Sequence, residues 1–222
     1  EFPDINRDEA RAILDGVRQS DRIYLDESES KRLLACYGIP VNTSYLAKSE
    51  DEAAAIAGAL GGAVAVKIES PDIWHKSDVH GVRLGIETEH GVRQVYRFLM
   101  ENVRQKRPDA RITGVTVERM VDTQYELLIG AVKDPVFGPV VVFGLGGIAT
   151  EVWQDRAIGL PPLNLALAKH LVEGTKIARL LRGFRNQTAI PLEPLQTVLV
   201  RFAYLLMDFP DIRELDINPF AI

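Results

Sequence analysis

A lysine and the polar loop behind it form the first group of residues with the means to do chemistry. Apolar side chains alternate along residues 64–68, and this period of two predicts a β-strand. Lys67 falls on the other face of that strand, where its neighbours are alanines, so its ammonium has room for an anion or another ligand. A structural lysine at the solvated edge of the strand is the alternative.

The loop after this strand begins where Ser70-Pro71 ends it, because proline donates no ladder hydrogen bond and restricts the residue before it. The loop contains His75, within the sequence HKSD, and returns through His80 and Gly81 to a second predicted strand. Strand, polar loop and returning strand form one unit that could be reactive. An ordinary solvated hairpin loop is the alternative for either histidine taken alone.

Two lone carboxylates form the second group. Glu118 and Glu126 each interrupt a strand-forming run, and a sheet buried on both faces rarely tolerates an unpaired charge. The two side chains therefore lie either on a solvated face or together in a polar cleft.

A carboxylate and an amide near the end of the chain form the third group. Asp216 and Asn218 alternate with Leu215 and Ile217, so they project from one face of a predicted short strand. Their oxygens are hard ligands of the kind that magnesium takes alongside phosphates and water. A plain surface turn at Asn-Pro is the alternative.

Helices and strands must position these groups, and the pattern alternates between the two. Helical periodicity and capping signals predict helices over about residues 6–18, 28–37, 49–60, 92–106, 164–172, 175–181 and 191–207. Besides the hairpin around the polar loop, a period of two predicts strands over about 112–121, 125–132 and 139–144. The first half thus forms an α/β unit, and the second half opens with a sheet.

Two further stretches could meet an anion. Glycines in FGLGGI, residues 143–148, leave a strand and would let backbone amides approach a phosphate. Their spacing matches neither the Walker pattern nor a dinucleotide fingerprint. The small basic turn from Arg182 to Arg185 is either solvated or meets a phosphate.

Composition limits the possible partners. The 222 residues suffice for one large domain or two small ones, and the net charge of -5 gives no electrostatic reason to expect nucleic acid or an anionic membrane. The single cysteine, Cys36, cannot form an internal disulfide, which fits a cytoplasmic location. Because the chain starts at Glu1, we expect it to be a fragment of a longer protein.

The ordered motifs resemble a known family over nearly the whole chain. The strand lysine, HKSD, VERM, YELLIG, DPVFGPVVVFGLGGI, LPPL and LDINP occur in that order, as in the ATP-grasp domain of ADP-forming acyl-CoA synthetases, relatives of the succinyl-CoA synthetase β subunit. GLPPLN and LLRGFR particularly resemble the synthetase-like part of bacterial protein lysine acetyltransferases. Each motif alone is ambiguous, but their ordered combination is specific.

The resemblance implies an α/β fold, an ATP-grasp arrangement of two α/β subdomains with a nucleotide cleft between them. The expected division is a helical linker over residues 1–24, a first subdomain over 25–112 and a second over 113–222. The expected ligands are ATP or ADP together with Mg²⁺.

The resemblance also implies a set of nucleotide-binding residues: Lys67, Gly81, Val117, Glu118, Met120 and Glu126. Lys67 would contact the phosphates, and the two glutamates would hold the adenine and ribose side. Residues 117–120 would form the hinge against which the adenine ring packs.

Metal binding and phosphate transfer complete the implied site. Asp216 and Asn218 match the residues that hold magnesium in ATP-grasp enzymes, and contact between Asp216 and a phosphohistidine is the alternative. His75 matches a histidine that relays the phosphoryl group in this family. Its chemistry is suitable, because neutral imidazole is nucleophilic near neutral pH and becomes a high-energy donor once phosphorylated. Lys67 and Mg²⁺ would neutralise the charge that develops on the transferred phosphoryl group.

The sequence therefore predicts the ATP-binding domain of an ADP-forming acyl-CoA synthetase, an acid-thiol ligase. It would relay phosphate between ATP and partner CoA-binding and ligase domains, in the same chain or in a second subunit, and would not make acyl-CoA by itself. The alternative is a non-catalytic, nucleotide-binding regulatory domain fused to a protein lysine acetyltransferase.

Overall fold

The computed structural model describes residues 2–20, 22–73, 76–147, 154–185 and 187–222. Along these ranges the elements are α1 (Arg7–Gln19), α2 (Glu27–Cys36), β1 (Tyr45–Ala47), α3 (Glu50–Leu60), β2 (Val64–Glu69), β3 (Val82–Ile86), α4 (Glu89–Lys106), β4 (Gly114–Arg119), β5 (Glu126–Asp134), β6 (Gly138–Leu145), β7 (Arg156–Gly159), α5 (Leu165–Glu173), α6 (Ile177–Leu181), α7 (Leu192–Asp208) and β8 (Glu214–Ala221). None of the described helices is both long enough and apolar enough to cross a membrane.

The helices begin where the sequence predicts caps. The Asn6 side chain accepts a hydrogen bond from the Glu9 amide at the start of α1, and the Ser49 side chain accepts one from the Glu52 amide at the start of α3. Each bond satisfies an amide that lacks a partner within the helix. The capping predictions at Asn6 and Ser49 are confirmed.

The chain divides into two compact units. The first unit comprises Tyr24–Lys31 and Val41–Asp122, and the second comprises Glu1–Ile23, Arg32–Pro40 and Thr123–Ile222. Each unit contains one four-stranded antiparallel sheet, with strand order β1-β4-β2-β3 in the first and β7-β6-β5-β8 in the second.

The first sheet has one apolar and one polar face. Val66 pairs with Val117 across β2 and β4, and both side chains are fully buried in the core that α3 and α4 cover. Lys67 pairs with Thr116 on the opposite face, and Glu118 follows on that same face. The predicted alternation around Lys67 is confirmed, and the pleat places the lysine away from the core.

The second sheet packs its apolar face against α5 and α7. Leu127, Ile129 and Phe143 are fully buried, as are Leu199 and Phe202 of α7. The helical stripe predicted for residues 191–207 thus supplies much of this core. β8 pairs with the central strand β5 at the edge of this sheet.

The compact units differ from the division expected from the sequence. Residues 113–122 belong with the first unit, because β4 lies between β1 and β2 in its sheet. The N-terminal residues belong with the second unit, where Arg201 pairs with Asp4 at 2.9 Å and donates to the Tyr37 carbonyl at 2.9 Å. This grouping places the N-terminal helix in the second unit, and the expected linker over residues 1–24 stays a prediction.

Candidate functional site

A group of paired charges lies around Lys67 in the first unit. We call it the ion cluster and define it as Lys31, Lys67, Lys76, Glu27, Glu69 and Glu118. The Lys67 Nζ atom lies 3.0 Å from Glu118 Oε2 and 3.2 Å from Glu27 Oε1. The three positive and three negative charges cancel.

Glu118 is the most deeply buried member, at 3% exposure. Its carboxylate accepts hydrogen bonds from Lys67 at 3.0 Å, Lys31 at 2.7 Å and the Ser44 hydroxyl at 2.5 Å. A fourth donor, the Asn42 side-chain amide, lies 3.4 Å away. A buried carboxylate is tolerated only when it is paired and hydrogen-bonded in this way. Glu118 therefore holds lysines in this structure, and its predicted contact with a nucleotide stays a prediction.

Glu27 joins the three lysines from the first turn of α2. Its carboxylate lies 3.0 Å from Lys31, 3.2 Å from Lys67 and 2.8 Å from Lys76. Burial opposes ionisation of this carboxyl, but the ammonium groups of Lys76 and Lys67 outweigh it and hold the pKa of Glu27 well below its usual range. The pKa of Lys76 is raised, because Glu27 and Glu69 outweigh the burial that acts against its charge.

One polar atom on this face has no hydrogen-bond partner among the described residues. It is the buried hydroxyl of Thr116, directly opposite Lys67 in the sheet. Leaving a buried hydroxyl unsatisfied costs about 1–3 kcal/mol. The face around Lys67 thus combines fully paired charges with one unpaired hydroxyl.

Val117 and Met120, the other residues predicted to form the hinge, differ in burial. Val117 is fully buried in the core, on the face of the sheet away from Lys67. Met120 follows the last residue of β4, is 37% exposed, and its amide donates to the Ala63 carbonyl at 2.9 Å. The structure brings Lys67 and Glu118 together but leaves the Val117 side chain out of that group.

Gly81 has a packing role at the end of the polar loop. Its amide donates to the Lys76 carbonyl and its carbonyl accepts from the Ile68 amide, both at 2.7 Å. A Cβ at this position would come within 2.6 Å of the Ile68 side chain. These contacts explain the glycine without a ligand, and a nucleotide contact at Gly81 stays a prediction. His75, the predicted phosphate acceptor, lies outside the described residues.

Glu126 and Asn218 meet at Gly147 in the second unit. The Asn218 side-chain oxygen accepts a hydrogen bond from the Gly147 amide at 2.7 Å. A Cβ on Gly147 would displace the exposed Glu126 carboxylate, and the φ of 65° at Gly147 favours glycine there. Glu126 and Glu118 belong to different units, so neither unit by itself contains both carboxylates.

Asp216 lies on β8 above Gly130 of β5. Its Oδ1 atom is 3.3 Å from the point where a Cβ of Gly130 would stand, so a larger residue would crowd it. Removal from water raises the pKa of the Asp216 carboxyl, and the Glu214 carboxylate beside it raises the pKa further. A cation would relieve both effects.

The structure explains the glycine-rich stretch by close packing of backbones. A Cβ at Gly144 would collide with the Asp155 carbonyl, and one at Gly146 would collide with the backbone of Leu127. Asp155, which the sequence did not single out, is buried, and its carboxylate accepts the amides of Lys176 and Ile177 at 2.6 and 2.7 Å. Nothing in this packing requires a phosphate.

Sequence reasoning also missed three members of the ion cluster, Glu27, Lys31 and Glu69. Glu27 and Lys31 are four residues apart on α2, the spacing at which helical side chains meet. Lys67 and Glu69 are two apart on β2, so they share a face. These two spacings were readable signals, although neither identifies its partner on another element.

A family model described as an ATP-grasp domain matches residues 16–222. The chain is 37% identical over 210 residues to the β subunit of acetate–CoA ligase (ADP-forming) I from Pyrococcus furiosus, covering 95% of this chain and 90% of that subunit. This chain belongs to the ATP-grasp family of ADP-forming acetate–CoA ligases. The resemblance predicted from the ordered motifs is confirmed.

Relatives and solved structures extend the match. Acetate–CoA ligase (ADP-forming) I of Archaeoglobus fulgidus is 35% identical over 98% of this chain, which spans 32% of that protein. An acetyl-coenzyme A synthetase 1 of Ca. Korarchaeum cryptofilum, in complex with coenzyme A and Ca-AMPCP, has a TM-score of 0.90 and 38% identity, with 95% of this chain and 92% of that chain covered. Another structure of that protein, in complex with coenzyme A and Mg-AMPPCP, has a TM-score of 0.82 and 33% identity, with 95% of this chain and 91% of that chain covered. In that structure the phosphohistidine segment points towards the nucleotide binding site. The ATP-grasp fold is confirmed.

Glu118 and Glu126, the two carboxylates predicted to bind nucleotide, should differ sharply in their contribution to the free energy of unfolding. Glu118→Ala removes the buried partner of Lys67 and Lys31 and should lower the free energy of unfolding by about 3 kcal/mol. Glu126→Ala, at an exposed position, should change it by less than about 0.5 kcal/mol. Urea unfolding of both variants measures the difference. Equal losses would show that the ion cluster contributes little to the fold.

Asp216 should destabilise the fold slightly when it is ionised. A carboxyl whose pKa is raised by folding contributes stability below its unfolded pKa, near 3.8, and loses that contribution as the pH rises through its folded pKa. Asp216→Asn should therefore raise the melting temperature at pH 7, and the gain should shrink as the pH approaches 4. A variant that melts below the wild type at pH 7 would indicate that Asp216 stabilises the fold instead.

Proposed function

We propose that this chain binds ATP or ADP with Mg²⁺ and relays phosphate between the nucleotide and partner CoA-binding and ligase domains of an ADP-forming acyl-CoA synthetase. The observation that carries the proposal is the position of Lys67. The fold holds its ammonium on the polar face of β2 with a buried glutamate, in a chain whose family relatives are ADP-forming ligases. An ammonium kept in place this way is suited to a phosphate.

Magnesium fits the donor set on β8. Asp216 offers a carboxylate whose charge is poorly solvated, and Asn218 offers an amide oxygen. No group of three or more metal-binding His, Cys, Asp or Glu side chains occurs in the described ranges, and Mg²⁺ usually takes only one or two carboxylates besides phosphate and water. Asp216 and Asn218 would hold the ion, which would supply charge neutralisation for the phosphates.

Phosphate relay requires an acceptor and a partner. We assign the acceptor role to His75, because neutral imidazole combines nucleophilicity with a labile phosphoryl product. One similar protein is the β subunit of an acetate–CoA ligase and another is a longer acetate–CoA ligase chain, which supports partner domains in the same chain or in a second subunit. A reducing, cytoplasmic setting agrees with the free buried thiol of Cys36.

A regulatory domain of a protein lysine acetyltransferase fusion is the alternative. The neutral ion cluster favours it, because each of its lysines already has a carboxylate partner. Such a domain would keep the fold without turning over nucleotide. Because this alternative also binds nucleotide, binding alone does not separate the two domains, whereas transfer of phosphate from ATP to His75 does.

Nucleotide binding should stabilise the chain through Lys67. A ligand that binds only the folded state at 100 times its Kd adds about 2.7 kcal/mol, so millimolar ATP with Mg²⁺ should raise the melting temperature of the wild type. Lys67→Ala should lose most of this rise relative to its own ligand-free melting temperature. Lys106→Ala removes the same charge from the exposed end of α4 and should keep the rise.

Melting curves of the wild type that coincide with and without millimolar nucleotide would contradict the proposal. An equal rise in the wild type and Lys67→Ala would place the phosphates elsewhere. Isothermal titration calorimetry with Mg-ADP provides the corresponding Kd values.

A further inference from the structure

We propose that Glu27 is an internal competitor for the phosphates of the nucleotide, and that Lys31 and Lys76 bind phosphate together with Lys67 when Glu27 withdraws. The inference rests on the proposed function, because it adds ligands and a regulating group to the same site. It assigns roles to Glu27 and Lys31, which the sequence reasoning did not include, and to Lys76 of the polar loop.

The geometry at Glu27 is that of an anion shared by three cations. Its Oε1 atom lies 3.0 Å from the Lys31 ammonium and 3.2 Å from the Lys67 ammonium, and its Oε2 atom lies 2.8 Å from the Lys76 ammonium. A phosphate group carries oxygens that accept charge-assisted hydrogen bonds at about 2.7–2.9 Å from the same donors. The three ammonium groups therefore converge on one anion position, and Glu27 fills it.

The other two glutamates make Glu27 replaceable. Glu118 pairs with Lys31 at 2.7 Å and with Lys67 at 3.0 Å, and Glu69 pairs with Lys76 at 2.8 Å. When Glu27 leaves, each lysine keeps one carboxylate. No buried charge is then left alone, so the large penalty for breaking a buried pair does not apply. Three lysines and two glutamates leave a net charge of +1, which attracts an anion.

The three carboxylates also differ in the elements that carry them and in their exposure. Glu118 and Glu69 stand on β4 and β2, whose backbones are paired with each other, whereas Glu27 is the first residue of α2. The side chain of Glu27 is 27% exposed, against 5% for Glu118 and 17% for Glu69. Residues at the end of a helix open at lower free energy than residues in a central strand. Glu27 is thus the carboxylate that can leave.

Side-chain rotation is sufficient for this withdrawal. Asp26 accepts from the Glu29 amide at 2.8 Å, and Glu29 accepts from the Asp26 amide at 2.9 Å. This reciprocal pair caps α2 independently of Glu27. The helix can keep its start while the Glu27 side chain turns away.

Competition and positioning predict opposite effects of the same substitution. If Glu27 competes with phosphate, its removal gives the cluster a positive charge and tightens phosphate binding. If Glu27 only positions the lysines, its removal loosens them and weakens binding. Glu27→Gln keeps the shape of the side chain and isolates the charge.

The test measures Mg-ATP and inorganic tripolyphosphate by isothermal titration calorimetry, in the wild type and in Glu27→Gln. We expect Glu27→Gln to bind both about fivefold or more tightly, with a gain that shrinks in high salt as the Coulombic attraction is screened. Glu101→Gln, an equal charge change at an exposed site on α4, should match the wild type. Lys76→Gln should bind tripolyphosphate about fivefold or more weakly, and Lys106→Gln should not.

The outcomes separate this inference from the proposed function. If the wild type binds Mg-ATP but Glu27→Gln binds it equally or more weakly, the competition is overturned and the nucleotide site stands. If the wild type does not bind Mg-ATP but Glu27→Gln binds tripolyphosphate more tightly, the anion site stands and the nucleotide function falls. If Glu27→Gln gains no affinity for either probe, the inference is wrong whatever the wild type does. Urea unfolding confirms that each variant is folded.

Discussion

The buried carboxylate of Glu118 is the constraint on which the Lys67 side of the first sheet depends. A carboxylate at 3% exposure must be paired, and it obtains its partners from β2, from α2 and from the segment before β1. Lys67, Lys31 and Ser44 meet at this one group. The position of the start of α2 and the polarity of the sheet face therefore follow from a single buried charge.

Local patterns predicted much of the fold, because they act over a few residues. The alternation around Lys67, the caps at Asn6 and Ser49 and the stripe of α7 all appear in the structure as the sequence indicates. The role of Glu118 could not be read this way, because its partner Lys31 is 87 residues away. The order of strands in each sheet is non-local too, and it assigns residues 113–122 to the first unit.

The glycine-rich stretch shows that close packing can require a glycine that a local motif relates to a ligand. Glycines that leave a strand are compatible with a phosphate loop, yet Gly144 and Gly146 lie against the carbonyl of Asp155 and the backbone of Leu127. Such contacts involve chain segments that no local window contains. Lys67, by contrast, combines a readable position with a structure that keeps its ammonium on a polar face, and its contact with nucleotide phosphates stays a proposal.

The central claim is that the chain transfers phosphate between the nucleotide and a histidine. Phosphorylation of His75 tests this claim most directly. The chain, together with its CoA-binding and ligase partner domains, would be incubated with γ-labelled ATP and Mg²⁺. The account predicts a label on the chain that is labile in acid and stable in base, as a phosphohistidine is. His75→Ala should abolish this label, and His80→Ala should retain it. A label that survives His75→Ala, or none even with the partner domains present, would contradict the relay.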